Sequence, residues 1–196
     1  MNQNAASSDY INRPAAEDSV DDVVLLGRVA EGDQTAFSEL YQRHHVGLYN
    51  YLLRLIHQES VAEELLQEVF VAVWEGAADF RQQASVKTWI FRIGHHKAVS
   101  WLRKLKRYDD LVSQYQPRAQ VSVEGQASET WRADVVREAL DQLSAPHRAV
   151  VELAYVHELS YAEIAQILDC PVGTVKSRMS YALKHLDGLL RRKGME

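Results

Sequence analysis

The chain has 196 residues, a net charge of -5 and a pI near 5.9, with 46% hydrophobic and 25% charged residues. That composition suits one large or two small domains that bury a core. No apolar run approaches the roughly 18 residues of a membrane helix, and Met1-Asn2-Gln3-Asn4 lacks the basic and apolar regions of a signal peptide, so a cytoplasmic chain without membrane insertion is expected. Cys170 is the only cysteine, which excludes an internal disulfide and any multi-cysteine zinc site.

Residues 1–19 are polar, rich in small side chains and without period, and read as a disordered N-terminal tail. From Val20 the apolar residues Val23, Val24, Leu26, Val29 and Ala30 fall at helical spacing, and Gly32-Asp33 ends that helix. Asp33 is placed to cap a second helix carrying Phe37, Leu40, Tyr41, Leu48, Tyr51, Leu52 and Leu55. Ser60 with Glu63 reads as a capping box opening a third.

The third and fourth helices have opposite charge. From Glu59 to Asp79 the chain carries Glu59, Glu63, Glu64, Glu68, Glu75 and Asp79 and no Lys or Arg. With residues 100° apart, Ala62, Leu65, Leu66, Val69, Phe70 and Val73 share a core arc of roughly 140°. Glu64, Gln67, Glu68, Glu75 and the apolar Val71 are left on the other side, where an apolar residue among carboxylates points to a contact surface. After a loop over 76–85, a helix over 86–106 packs Ile90, Phe91, Gly94, Ala98, Trp101, Leu102 and Leu105. Arg92, His96, Ser100, Arg103 and Arg107 line its opposite side, flanked by Lys97, Lys104 and Lys106, with no acid to offset them. Such a face suits nucleic acid.

Residues 108–130 lose the pattern and read as a linker between two domains, the first spanning 20–107 and the second 131–196. In the second, a helix over 131–143 buries Val135, Val136, Ala139, Leu140 and Leu143. The next is capped by Ser144, carries Pro146 in its first turn and buries Val150, Val151, Leu153 and Ala154. Ser160-Tyr161-Ala162-Glu163 is a capping box opening a short helix through Leu168; Asp169-Cys170-Pro171 turns the chain into a long final helix. Short helix, tight turn and longer helix, packed through Ile164, Ala165, Leu168, Val175 and Met179, form a helix-turn-helix. Val175, Met179, Ala182, Leu183 and Leu186 face inward, leaving Thr174, Lys176, Ser177, Arg178, Ser180, Tyr181 and Lys184 to reach base edges and phosphates. The fold class is therefore all-α: two small helical domains joined by a flexible linker, the C-terminal one a helix-turn-helix.

Leu159-Ser160-Tyr161-Ala162-Glu163-Ile164-Ala165 followed by Pro171-Val172-Gly173-Thr174-Val175-Lys176-Ser177-Arg178 resembles the C-terminal domain of bacterial extracytoplasmic-function (ECF) sigma factors. Ala62-Glu63-Glu64-Leu65-Leu66-Gln67-Glu68-Val69-Phe70 is similar to that family's polymerase-binding helix. Trp89-Ile90-Phe91-Arg92-Ile93 with Ala98-Val99-Ser100-Trp101-Leu102-Arg103 is similar to its promoter-melting helix. The resemblance implies a specificity subunit that binds core RNA polymerase, directs promoter recognition, melting and initiation, and is controlled by an anti-sigma factor. It implies polymerase clamp contacts at Glu64, Gln67, Glu68 and Val71. It places minus-ten contacts at Arg92, His95, His96, Lys97, Ser100, Arg103, Lys104 and Arg107, and minus-thirty-five contacts at Tyr161, Thr174, Lys176, Ser177, Arg178, Ser180, Tyr181 and Lys184. His95-His96 stands where the family commonly has Arg-Asn, and Glu158 where Gly is frequent.

Two other readings compete. A stand-alone helix-turn-helix regulator explains the second domain but leaves the acidic and basic helix pair without a role. An enzyme would use His44-His45 or His95-His96, yet adjacent helical residues point about 100° apart and cannot chelate one ion. No phosphate-binding glycine loop or His-Glu-x-x-His motif occurs either, so neither catalytic residues nor a cofactor or metal is expected.

Overall fold

The computed structural model describes residues 19–112 and 138–192, with side chains over 22–107 and 138–189. Of the expected tail over 1–19 and linker over 108–130, residues 1–18 and 113–130 lie outside the described residues, as does the helix start over 131–137, while Ser19 opens the first helix. Among the described residues the fold is carried by α1 (Ser19–Ala30), α2 (Gln34–Ile56), α3 (Glu59–Gly76), α4 (Val86–Val112), α5 (Ala145–Val151), α6 (Tyr161–Leu168) and α7 (Val172–Arg192). A 3-10 turn over Ala77–Asp79 leads towards α4, a π-helical turn over Glu152–Val156 extends α5, and residues 138–141 are helical. Among the described residues there is no strand.

Local chemistry sets the boundaries. Asp33 accepts from the backbone N–H groups of Thr35 and Ala36 at 2.8 and 3.1 Å, satisfying donors that open α2. Ser160 and Glu163 form the reciprocal capping box at the start of α6. Two expected caps are corrected. α3 begins one residue before Ser60, with Gln58 at its cap position and no side-chain bond. Ser144 sits at the cap of α5, but its hydroxyl pairs with the His147 ring at 2.6 Å. α4 runs on to Val112, past the expected linker start at Tyr108.

Most core positions fall where periodicity places them. In α3 all six expected residues are buried, and α4 buries Ile90, Phe91, Gly94 and Ala98. Four other expectations are corrected: Val24, Tyr41, Leu105 and Leu183 are 57%, 37%, 37% and 41% exposed, while Leu25 is buried. α2 packs on α1, α3 and α4. The buried Asp22 of α1 bonds His44 at 2.7 Å and Arg43 at 2.8 Å on α2. Burial opposes its charge, but those two partners prevail and hold its carboxyl below the usual range.

Gly94 marks the closest approach of α4 to α2. A Cβ there would lie 2.8 Å from Leu48 Cδ1, and Leu48 is fully buried. Gly94→Ala is expected to cost about 1–3 kcal/mol through overpacking, read by urea denaturation; an unchanged midpoint would contradict that fit.

The two helical halves share one hydrophobic cluster, running from Leu26, Leu40 and Tyr51 through Phe91 to Leu153, Ile164 and Met179. α6 lies against α4, and α5 packs against α7 and touches α2. Polar contacts follow that seam. Arg54 of α2 grips both carboxylate oxygens of the buried Glu152, at 2.8 and 2.6 Å. Lys87 donates to the His157 carbonyl at 2.9 Å, and Thr88 to Glu163 at 3.2 Å. The His157 ring is inserted against Phe91, 4.7 Å away, and Tyr51, 6.0 Å away. Burial first, then Lys87 and Arg54, pushes its pKa down to about 4. Glu158, next in the chain, has a φ of 55°. That left-handed backbone is natural for glycine, which accounts for the family's frequent Gly there.

Candidate nucleic-acid interface

Three surfaces expected to carry function are built on rigid helices. On α3, the packing of its opposite stripe leaves Glu64, Gln67, Glu68 and Val71 exposed, Val71 at 56%. This face meets the next at Glu68, whose carboxylate accepts from Lys97 of α4 at 2.8 Å. An acidic and a basic surface therefore abut on one helical unit.

On α4, Arg92, His96, Ser100, Arg103, Lys104 and Arg107 are exposed. Lys97 is partly exposed at their edge. His95 is placed differently from its neighbours. Its Nδ1 pairs with the Tyr51 hydroxyl at 2.8 Å, and burial, with His96, Arg178 and Arg103 nearby, drives its pKa down to about 4. The structure thus turns this ring towards α2 and keeps it neutral, apart from the exposed row. Arg92 lies 3.9 Å from Asp169 in the turn between α6 and α7, so the N-terminal half of the basic face borders the second helical half.

The helix-turn-helix is shaped by Asp169, whose φ of 49° reverses the chain after α6; an Asp tolerates that conformation better than most residues. Cys170 N–H closes the turn onto the Ala165 carbonyl at 3.1 Å. On α7, Lys176, Ser177, Ser180, Tyr181 and Lys184 are exposed, while Thr174 and Arg178 are half-buried. Arg178 reaches Cys170 Sγ at 3.9 Å. Tyr161 packs against the core from the start of α6, and burial with Tyr155 nearby pushes its pKa up.

The rings of the other adjacent pair, His44 and His45, are tied individually. His44 bonds Asp22, and His45 bonds the Tyr41 and Gln42 carbonyls. Among the described residues no group of three or more His, Cys, Asp or Glu is arranged to hold a metal ion, and no helix is long and apolar enough to cross a membrane. Sequence reasoning missed the second task of Glu163. One of its oxygens closes the capping box while the other accepts from Thr88 of α4, a link across 75 residues that no local pattern records.

The chain matches the Sigma-70 region 2 family over residues 40–108 and the Sigma-70, region 4 family over residues 133–186. It is 31% identical over 151 residues to the RNA polymerase sigma factor YlaC of Bacillus subtilis, covering 75% of this chain and 87% of that one. It is 30% identical over 180 residues to the ECF RNA polymerase sigma factor SigK of Mycobacterium ulcerans, covering 85% and 91%. Among solved structures it is similar to CnrH in complex with the cytosolic domain of CnrY (27% identity, TM-score 0.65, covering 88% of this chain and 98% of that one). It is also similar to the sigma factor RpoE in complex with the anti-sigma factor NepR from Bartonella quintana (26% identity, TM-score 0.67, covering 79% and 96%).

Proposed function

This chain belongs to the extracytoplasmic-function family of RNA polymerase sigma factors, and from that premise we propose how its surfaces divide the work of promoter recognition. A sigma factor of this family binds core RNA polymerase and directs promoter recognition, melting and initiation. The Glu64, Gln67, Glu68 and Val71 face docks on the polymerase clamp, where carboxylates and an amide meet basic side chains through charge-assisted hydrogen bonds. The exposed row from Arg92 to Arg107 tracks the opened minus-ten strand as a positive groove, with His96 available for base stacking. His95 supports that row from behind through Tyr51. The N-terminal half of α7 reads the minus-thirty-five duplex in the major groove. Melting by strand capture consumes no nucleotide, so the chain needs no catalytic group, and it works in the cytoplasm beside the polymerase.

The observation that carries this division is the abutment of the α3 and α4 faces at Lys97–Glu68, which sets polymerase docking beside strand capture. The two promoter elements lie about 25 base pairs apart, roughly 85 Å of duplex at 3.4 Å per pair. Contacts that hold the two helical halves together must therefore open on the polymerase, beginning with Arg54–Glu152 between α2 and the turn after α5 and Thr88–Glu163 between α4 and α6. The packed form is the one held by an anti-sigma factor, as likeness to RpoE in its complex with NepR suggests.

Transcription in vitro with core polymerase on a promoter library tests the reading; start-site choice unchanged by the added chain would reject it. Lys176→Ala with Arg178→Ala is expected to weaken the minus-thirty-five contact by roughly 1–3 kcal/mol per lost base pairing. Footprinting of the holoenzyme measures that loss, and full protection of the upstream element would contradict the role of α7.

A further inference from the structure

A ring cluster beside the recognition helix has no part in the reading above. Tyr181 is 58% exposed, and two imidazoles flank it. His147, at the start of α5, lies 4.5 Å from its ring at an angle of 35°. His185, one turn further along α7, is stacked on it at 6.1 Å and 7°. His147 Nδ1 is engaged by Ser144 Oγ, which leaves Nε2 as the ring's remaining polar atom. Among the described residues neither that Nε2 nor the ring of His185 has a hydrogen-bond partner.

Among the described residues, the groups that act on the His147 charge are both on α7. Arg178 and His185 face it from α7. On the other elements packed against α5, Asp141 and His57 act on the buried Arg148 instead. Burial, then Arg178 and His185, holds the His147 pKa below the usual imidazole range, so the ring is neutral in the free chain near pH 7. An anion brought to the cluster reverses that balance, because it favours the protonated ring. Exposed Lys184 and the Tyr181 hydroxyl lie on the same helix, ready to share such an anion. The anion that a duplex presents beside a recognition helix is a backbone phosphate.

We infer that His147, with Tyr181 and His185 beside it, forms a phosphate clamp that lengthens the duplex contact of α7 and tightens upstream promoter binding as pH falls. The clamp rests on α7 being the duplex-reading helix. A group whose pKa rises on binding contributes its affinity below the free value and loses it as pH rises through the bound value.

The test compares wild-type holoenzyme with His147→Gln/His185→Gln holoenzyme on one labelled promoter, by fluorescence anisotropy between about pH 6 and pH 8. Any pH dependence that arises elsewhere in the holoenzyme is common to both and cancels in the comparison. Wild type is expected to bind roughly tenfold tighter at the lower pH than at the higher. Its salt slope should steepen by about one to two there, near 0.9 per phosphate gripped. The Gln variant should lose that excess pH dependence, with circular dichroism confirming its fold. A His147→Lys/His185→Lys variant should bind tightly across the range, since its charge is permanent. A Gln variant that keeps the wild-type pH profile and salt slope overturns the clamp. If Lys176→Ala/Arg178→Ala still weakens binding in that case, the duplex-reading role of α7 stands alone; if it does not, both fall.

Discussion

Polymerase binding is expected to vanish in the Gln67→Lys/Glu68→Lys variant while the fold survives. Both side chains are exposed on α3, and the six residues that bury the helix lie on its opposite stripe. Among the described residues the bond lost is Glu68–Lys97, between partly exposed partners, and an ion pair of that kind contributes roughly 0–1 kcal/mol. At the clamp the effect is much larger. Truncating one partner of a desolvated charge pair costs about 2–5 kcal/mol, and reversal adds repulsion against a basic partner. A loss of at least about a hundredfold in affinity follows, at 1.4 kcal/mol per tenfold. Co-purification with core enzyme and a thermal melt read the two halves of the prediction. Normal co-purification would remove the clamp assignment.

Arg148→Met is expected to destabilise the chain by about 3–5 kcal/mol, the range for stranding buried polar partners. Arg148 is 6% exposed, and its guanidinium ties the segment before α5 to the end of α2. It donates to the Leu140, Asp141 and Leu143 carbonyls at 3.1, 2.7 and 3.1 Å, closing the segment before α5. It also donates to the Arg54 carbonyl at 2.8 Å and meets the His57 ring, both at the end of α2. Burial pushes its pKa down, with Asp141 and Glu152 opposing. Methionine keeps much of the stem volume but donates nothing, so the carbonyls of the buried Leu143 and of Arg54 lose this donor, and that of Leu140 keeps the Leu143 N–H. Urea denaturation measures the loss, and a change under about 1 kcal/mol would show that water replaces the guanidinium without penalty.

Reading the sequence alone reached the all-α class, the order of the helices, the Asp33 cap, the Ser160–Glu163 box and the exposed faces of α3 and α7. It misplaced Val24, Tyr41, Leu105 and Leu183, which periodicity assigns to a core side but which stay more than a third exposed. It grouped His95 with its basic neighbours, because a histidine on a helix flank has no local mark that tells a stacking ring from one bonded to Tyr51, 44 residues away. Nothing in the order of residues singles out His147 and His185, since only the packing of α5 on α7 brings their rings to Tyr181.

What the order of residues determined by itself is therefore whatever acts within a turn or two of helix: which stripe is apolar, which residue can cap, which face carries one sign of charge. The tertiary structure alone decided the partners, such as Arg54 with Glu152 or Thr88 with Glu163, at separations of 98 and 75 residues. The reason is that periodicity records that a face will leave water, whereas the geometry of close packing selects what it will meet.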